Sequence, residues 1–282
     1  MPPATRFAAL RRKFLPRALR GKPMRRIQRE INQRRYDYPN RNLLAVGLPK
    51  SGSTWLARML CEVPGYLPWT PETVKLGKPH DLRRDDFIPG PVGYTVTKTH
   101  TFPSESNLSV IHATGRPYVV LIRDPRDTAT SWAYYVGLPG RTFWAHPEAV
   151  PLSIPERIAY YIERILPRNI EWIVRWQECV DPRLGLLFRY EDMLIDTFGH
   201  MRRAFDLYDV RLSDDRVREI VAKHEFKKAT GRERGQEDAK SFNRKGIRGD
   251  WRNHFTDDHI AAFKRIAGQK LIASGYEADE SW

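Results

Sequence analysis

The sequence lacks long apolar runs and has little cysteine. No stretch approaches the roughly 18 uncharged apolar residues of a membrane-spanning helix, so we expect no membrane span. The sequence also lacks the apolar segment that marks a secretory signal, which favours a cytoplasmic protein. Cys61 and Cys179 are too few and too far apart for a disulfide framework or a metal site. We therefore expect a globular protein of a reducing compartment.

Positive charge is concentrated at the N-terminal end of the 282 residues. The chain has 48 Lys and Arg against 34 Asp and Glu, a formal net charge of +14. Residues 1–41 hold 13 of the basic and two of the acidic residues, a net +11, which leaves 35 basic and 32 acidic residues and only +3 for the rest. We therefore predict a basic N-terminal arm, 1–41, and one domain, 42–282, with no nucleic-acid partner.

Basic and apolar residues alternate within the arm. The basic members are Arg11, Arg12, Lys13, Arg17 and Arg20, and the apolar members are Phe7, Leu10, Phe14, Leu15 and Leu19. This amphipathic pattern suits the surface of an anionic membrane, so peripheral membrane binding is one expectation. A solvated, partly disordered arm is the alternative. A transit peptide is disfavoured because residues 1–41 contain no serine.

Apolar runs and helix-like patterns alternate along the domain. We predict strands at 43–48, 94–98, 118–122 and 185–190, and helices at 53–61, 128–137, 155–166, 168–179, 193–207, 213–225 and 256–273. This order indicates an α/β fold, a single domain with a central parallel β-sheet flanked by helices, whose ligands bind beyond the carboxyl ends of the strands.

Three segments that are poor in periodic pattern are predicted to be loops. Segments 66–92 and 138–154 are long connections of the kind that form lids or binding loops. Their aromatic residues are candidates for an acceptor pocket or for surface packing: Trp69, Phe87, Phe143 and Trp144. The charged segment 227–240 is predicted to be mobile and to order when a ligand binds.

The segment 47–54, Gly-Leu-Pro-Lys-Ser-Gly-Ser-Thr, joins the first predicted strand to the first predicted helix. Its two glycines allow backbone N–H groups to point at an anion, and Ser51, Ser53 and Thr54 add hydroxyl donors at the helix N-terminus. In a Walker A loop the lysine directly follows the second glycine, whereas here Lys50 precedes it by two residues. The pattern predicts an oxyanion site, with a simple capped loop as the alternative.

A lysine and a histidine stand together at the end of the second predicted strand. Lys98 and His100 are two residues apart, so strand alternation puts them on one face. The lysine charge lowers the pKa of the histidine and keeps it neutral, as a general base requires. A lone histidine is more often structural.

The buried run 118–122 ends in another cationic residue, Arg123. Pro125 prevents further strand pairing, and Asp127 is a candidate N-cap for a helix that carries Ser131 in its first turn. Arg123 and Ser131 would then meet beyond the strand's carboxyl end, although local ion pairs within Arg-Asp-Pro-Arg-Asp are the alternative.

Segment 242–253 combines positive charge with glycine. Arg244 and Lys245 supply the charge, and Gly246 and Gly249 allow close approach of the backbone. This composition suits a doubly charged phosphate, although without context it would also suit a basic surface loop.

These four blocks resemble the motifs of the cytosolic-type sulfotransferases, which use 3′-phosphoadenosine 5′-phosphosulfate (PAPS). Residues 49–55 resemble the family's Pro-Lys-Ser-Gly-Thr-Thr-Trp loop, and Lys-Thr-His at 98–100 resembles its catalytic segment. Residues 123–127 resemble its 3′-phosphate motif, and residues 244–251 its Arg-Lys-Gly-x-x-Gly-Asp-Trp loop. The motif order matches from 43 to 256, which implies the P-loop nucleoside-triphosphate-hydrolase-like sulfotransferase fold.

The resemblance also implies residue roles. The implied catalytic residues are His100, which would take the acceptor's proton, and Lys50 and Lys98. The implied cofactor-binding residues are Lys50, Ser51, Gly52, Ser53, Thr54, Trp55, Arg123, Ser131, Tyr190, Phe226, Arg244, Lys245 and Gly246. The chain departs from the family at His224-Glu225, where Thr-Ser is usual, and at Thr101-Phe102 after the histidine.

We therefore predict transfer of the sulfuryl group of PAPS to a hydroxyl, or less favourably an amine, by in-line displacement without a metal. The acceptor would be a small molecule, a carbohydrate or a lipid. One alternative is a P-loop kinase-like phosphotransferase, for which no metal-binding carboxylate stands out. Another is a non-enzymatic basic scaffold that binds anionic lipid or nucleic acid.

Overall fold

The centre of the molecule is a parallel β-sheet. The computed structural model describes residues 22–75, 80–138 and 146–282, and in these ranges the sheet has five strands: β1 (Asn42–Gly47), β2 (Tyr66–Pro68), β3 (Tyr94–Thr99), β4 (Tyr118–Ile122) and β5 (Gly185–Arg189). Their order is β2-β3-β1-β4-β5, and each neighbouring pair is parallel. Every residue of β1 and β4 is buried, as expected of strands covered on both faces.

Helices cover both faces of this sheet. The described helices are α1 (Lys22–Arg35), α2 (Ser53–Leu60), α3 (Glu105–Ala113), α4 (Pro125–Val136), α5 (Ile154–Arg164), α6 (Leu166–Cys179), α7 (Tyr190–Ile195), α8 (Thr197–Leu207), α9 (Asp214–Lys223), α10 (Phe226–Thr230) and α11 (Asp257–Ala273). Leu43 and Ala45 of β1 join one core with α2, α8 and α9, whereas Leu44 and Val46 join the other with α3 and α6. The predicted α/β class is confirmed.

Two differences from the sequence prediction have local causes. Strand β2 lies inside the predicted connection 66–92 and has only three residues, too few to show an alternating pattern. The predicted helix 193–207 is two helices, because the backbone leaves the helical conformation at Asp196. The Asp196 side chain accepts a hydrogen bond from the Gly199 N–H at 2.8 Å and so caps the second helix.

Helix α4 begins earlier than predicted, and its cap is a different aspartate. Asp124, not Asp127, is the N-cap, and it accepts a hydrogen bond from the Arg126 N–H at 2.9 Å. Asp127 lies inside the helix and is buried. Its carboxylate accepts hydrogen bonds from the backbone N–H groups of Gly249, at 2.6 Å, and Trp251, at 3.0 Å. Asp127 therefore holds segment 242–253 against the carboxyl end of β4.

Part of the predicted arm is helical and contacts the domain. The Asn32 side chain of α1 donates to the Gly65 carbonyl at 2.8 Å, next to the edge strand β2. The Gln33 side chain accepts from the Gly93 N–H at 3.2 Å. The amphipathic stretch 7–20 lies outside the described residues. In the described ranges, no helix has both the length and the apolar character needed to cross a bilayer.

The buried carboxylate of Asp127 generates a stability prediction. Asp127→Ala removes the acceptor of two backbone N–H groups, and each hydrogen bond to a charged group contributes about 1.5–3 kcal/mol. We expect the free energy of unfolding to fall by about 3 kcal/mol in urea denaturation. Asp206→Ala is the matched control, because that carboxylate is exposed and pairs with Arg202, so its loss should cost below about 1 kcal/mol. Equal losses in the two variants would contradict the structural role of Asp127.

Candidate functional site

The phosphate loop, residues 47–54, leads directly from the carboxyl end of β1 into α2. Gly52 is the residue before the helix and has a left-handed backbone with φ of 91°, which favours glycine. A side chain at Gly52 would collide with the ring of Tyr190. Because Gly52 has no side chain to cap α2, the helix N-terminus faces the loop with donor N–H groups and the positive end of its dipole. An anion is the ligand that this arrangement favours.

Side chains of the phosphate loop have different surroundings. The buried Ser51 hydroxyl donates to the Leu48 carbonyl at 2.8 Å, so it stabilises the loop itself. The Lys50 ammonium lies 4.2 Å from the ring centres of both Tyr135 and Phe242. These cation–π contacts join the phosphate loop to α4 and to segment 242–253.

Arg123 also connects the phosphate loop to segment 242–253. Its guanidinium donates to the Lys50 carbonyl at 3.0 Å and to the Ile247 carbonyl at 3.2 Å. It also lies over the ring of Tyr190, 4.4 Å from the ring centre. Ser131, from α4, faces the same cleft. The structure thus brings together Arg123 and Ser131, as the sequence predicted for the end of β4.

Segment 242–253, the basic loop, holds its charges against carboxylates. Arg244 pairs with Glu237 at 2.8 Å and with Asp250, and Lys245 pairs with Asp250 at 2.6 Å. Burial alone would raise the pKa of Asp250, but hydrogen bonds from His254, Lys245 and other neighbours offset burial and hold that pKa well below its usual range. Asp250 is therefore ionised and fixes both cations of the loop.

These elements line one cleft at the carboxyl end of the sheet. The space between its lining atoms, including the open mouth, is about 1030 Å³. Of the predicted cofactor-binding residues it collects all but Ser51: Lys50, Gly52, Ser53, Thr54, Trp55, Arg123, Ser131, Tyr190, Phe226, Arg244, Lys245 and Gly246. Phe226 lies directly against Gly246, where a Cβ would collide with the ring, and the φ of 68° also favours glycine at this position.

Some lining residues were missed by the sequence analysis. Arg58 follows Thr54 by one turn of α2, a spacing that could have been noticed. Arg234 belongs to segment 227–240, whose charge predicted mobility. In the structure that segment is tied to the basic loop, because Arg232 donates to the carbonyls of Asn243 and Arg244 at 2.6 and 2.7 Å. These contacts join distant parts of the chain and leave no local pattern.

His100 and Lys98 lie beneath the phosphate loop and are not among the residues that line the cleft. The His100 Nδ1 is hydrogen-bonded to the Gly47 carbonyl. A carbonyl only accepts, so Nδ1 carries the proton and Nε2 is the unprotonated nitrogen. The Lys98 ammonium donates to that Nε2 at 3.4 Å.

Burial is the main reason that His100 is neutral. Burial, followed by the charge of Lys98, lowers the pKa of His100 to about 3, although the hydrogen bond to the Gly47 carbonyl acts in the opposite direction. The sequence analysis had named only the lysine. Burial also lowers the pKa of Lys98. The pair therefore offers an unprotonated imidazole nitrogen beside a cation.

A second histidine supports the first. The His80 Nδ1 accepts a hydrogen bond from the His100 backbone N–H at 3.1 Å, and the two rings are 5.1 Å apart. Nothing in the sequence around His80 pointed to this contact, which spans 20 residues.

The aromatic residues predicted for an acceptor pocket are only partly described. The rings of Trp69 and the buried Phe87 meet edge to face, with centres 6.5 Å apart. Phe87 belongs to the core that includes α3 and α6, and the partly buried Trp69 packs against that core. Phe143 and Trp144 lie outside the described residues. Among the residues that the structure does describe, no three His, Cys, Asp or Glu side chains are arranged as metal ligands would be.

The comparisons with known proteins agree on one family. The family model described as "Sulfotransferase domain" matches residues 93–275. Sulfotransferase 2A6 of Mus musculus is 25% identical over 276 residues, which cover 87% of this chain and 90% of that protein. Sulfotransferase 2A2 of Mus musculus is 26% identical over 274 residues, with coverage of 86% and 90%.

Solved structures of low sequence identity share the fold. Mouse sulfotransferase SULT7A1, complexed with PAP, superimposes with a TM-score of 0.63 at 18% identity, covering 87% of this chain and 88% of that chain. Retinol dehydratase, in complex with retinol and PAP, gives 0.56 at 17% identity, with coverage of 85% and 84%. The predicted P-loop-like sulfotransferase fold is therefore confirmed. Since the family model matches more than half of the sequence, the chain belongs to the sulfotransferase family.

Proposed function

We propose that this protein transfers the sulfuryl group of PAPS to a hydroxyl, or less favourably an amine, of a small-molecule, carbohydrate or lipid acceptor. The observation that carries the proposal is the composition of the cleft. It joins an anion-binding helix N-terminus to a second cationic group, built from Arg123 and the basic loop. PAPS has two anionic ends, a 5′-phosphosulfate and a 3′-phosphate, and such a ligand needs two separate cationic sites.

Each part of the donor has candidate partners in the cleft. The phosphate loop and Lys50 would bind the 5′-phosphosulfate, and Arg123, Ser131, Arg244, Lys245 and Gly246 would bind the 3′-phosphate. Trp55 and Phe226 would contact the adenine, with Tyr190 beneath them. The Trp55 indole N–H donates to the His224 carbonyl at 3.1 Å, which fixes the ring at the edge of the cleft. PAP, the desulfated donor, is present in two of the similar structures.

The proposed reaction is one in-line displacement at sulfur. The acceptor oxygen forms a bond to sulfur while the bond from sulfur to the 5′-phosphate oxygen breaks, and PAP leaves. The acceptor's proton passes to the unprotonated Nε2 of His100, where it replaces the hydrogen bond from Lys98. Lys50, Lys98 and the loop N–H groups stabilise the negative charge on the leaving phosphate, so the step needs no metal. The anionic donor also favours the imidazolium, which raises the low pKa of His100 when catalysis requires it.

Nucleotide binding tests the proposal without an acceptor. We expect the protein to bind PAP much more tightly than AMP, because only PAP has a 3′-phosphate. Arg123→Ala should remove most of this preference, since a lost charge-assisted contact costs about 1.5–3 kcal/mol, or roughly 10- to 150-fold in affinity. Ser131→Ala should reduce it less, without disturbing the two loops. Equal calorimetric affinities of the unmodified protein for PAP and AMP would refute the proposed donor.

Replacing Glu237 should strengthen the binding of PAP instead of weakening it. Its carboxylate is 2.8 Å from Arg244 and 3.8 Å from Lys245, so it competes with a 3′-phosphate for both cations. Because the carboxylate is partly exposed, the expected gain is about 1 kcal/mol, or roughly five-fold tighter PAP binding in Glu237→Gln. AMP binding should not change. Glu233→Gln, which removes an exposed carboxylate paired with Lys227, is the control. Weaker PAP binding in Glu237→Gln would mean that Glu237 orients Arg244 for the ligand.

The proton acceptor is tested by turnover. A panel of phenols, sugars, glycolipids and other hydroxylated compounds with labelled PAPS first identifies an acceptor. His100→Ala should then lower the rate by about 10²- to 10⁴-fold, as expected for a lost general base, while PAP binding is retained because His100 does not line the cleft. Lys50→Ala should impair both turnover and PAP binding. Thermal stability, His100→Gln and the exposed-histidine variant His112→Ala serve as controls. Near-normal turnover of a folded His100→Ala protein would assign the base elsewhere.

A further inference from the structure

The outward side of α1 combines arginine with exposed isoleucine. Ile27 and Ile31 are one helical turn apart, and 49% and 52% of their surfaces are exposed. We define the basic face of α1 as the exposed residues Arg26, Ile27, Glu30, Ile31, Arg34 and Arg35, which share one half of the helix surface. Its single acidic member, Glu30, pairs with Arg26 at 3.3 Å. Adjacent apolar side chains flanked by arginines form the kind of amphipathic face that binds anionic surfaces.

The opposite side of α1 fixes this orientation. Asn32 is buried and bonds to the Gly65 carbonyl, and Gln33 bonds to the Gly93 N–H. The helix is therefore a docked part of the domain. Its isoleucines point away from the body because its polar residues are used for the contact.

The segment that touches the helix also exposes apolar side chains. Gly93 contacts the docked side of α1, and the residues before it include Val92 and Ile88, which are 42% and 41% exposed. Four of the seven large apolar side chains that are exposed among the described residues thus belong to α1 or to the segment that touches it.

Charge decides which partner fits. Residues 1–21 hold six Lys and Arg and no acidic residue, so they would repel the basic face if they folded over it. A second copy of the chain would bring the same positive charge. Nucleic acid would satisfy the arginines but has no place for a pair of isoleucines. An anionic bilayer offers negative headgroups to the arginines and an apolar boundary to the isoleucines.

We propose that the basic face of α1 docks this sulfotransferase on anionic lipid bilayers. The docking face is part of the folded domain, beside the sheet edge at β2, and residues 1–21 add charge to it. The proposal does not depend on the donor or on the acceptor of the enzyme.

Vesicle sedimentation of the full chain tests the proposal. We expect binding to vesicles of phosphatidylcholine mixed with phosphatidylserine, weak binding to pure phosphatidylcholine, and loss of binding at high salt. Arg34→Gln/Arg35→Gln should weaken binding roughly 10- to 30-fold, since each basic residue near an anionic surface contributes about five-fold. Ile27→Ser/Ile31→Ser should weaken it by at least about ten-fold, because insertion of apolar side chains is lost.

Matched variants elsewhere on the surface serve as controls. Arg211→Gln/Arg218→Gln removes two exposed arginines, and Val150→Ser removes an exposed apolar residue; both should bind vesicles normally. Normal vesicle binding by the isoleucine variant would overturn the proposal, since attraction by charge alone would then suffice. The proposal would also be overturned if the protein bound duplex RNA as tightly as it binds vesicles and if this binding did not depend on the isoleucines. A change of oligomeric state in the isoleucine variant would instead identify an interface between copies of the chain.

Discussion

The arrangement of the site depends on one buried cation, Arg123. It stands at the carboxyl end of β4 and donates to carbonyls of two loops that are far apart in the sequence. Asp127, one helical turn later, accepts N–H groups of the basic loop and lies 3.9 Å from the guanidinium. Removing an arginine from water is costly unless its charge is compensated and its donors find acceptors. The two terminal nitrogens of Arg123 find acceptors in the two loops, whereas its Nε has no partner among the described residues. These requirements fix both loops against the sheet and so create the cleft between them.

The positive charges of the basic loop have carboxylate partners within the protein. The buried Asp250 pairs with Arg244 and Lys245, whereas Glu237 approaches the same cations and remains partly exposed. The buried carboxylate is a permanent partner, because its removal would leave both cations with only the partly exposed Glu237. Glu237 is displaced at a smaller free-energy cost, because water screens its ion pairs with the two cations. This difference lets a phosphate enter without dismantling the loop.

Burial also sets the protonation state of His100 beside the cleft. His100 lies against the phosphate loop, and its Nδ1 is hydrogen-bonded to the carbonyl of Gly47, the first residue of that loop. The loop that faces the anion thus also selects the tautomer of the histidine. Burial keeps the imidazole uncharged while the nearby Lys98 stays close to its Nε2. The phosphate loop therefore both forms the anion site and sets the tautomer of the proposed base.

The sequence by itself determined the fold class and the motif segments. Short continuous apolar runs such as 118–122, bounded by turn residues, predict buried strands, and the glycines of loop 47–54 predict its turn, because these properties are local. Tertiary structure decided what depends on distant partners: that Asp127 binds the basic loop instead of capping a helix, that His80 supports His100, and that Lys22–Arg35 docks on the sheet edge. Backbone hydrogen bonds and burial between remote segments leave no pattern in neighbouring residues, so only the folded chain reveals them.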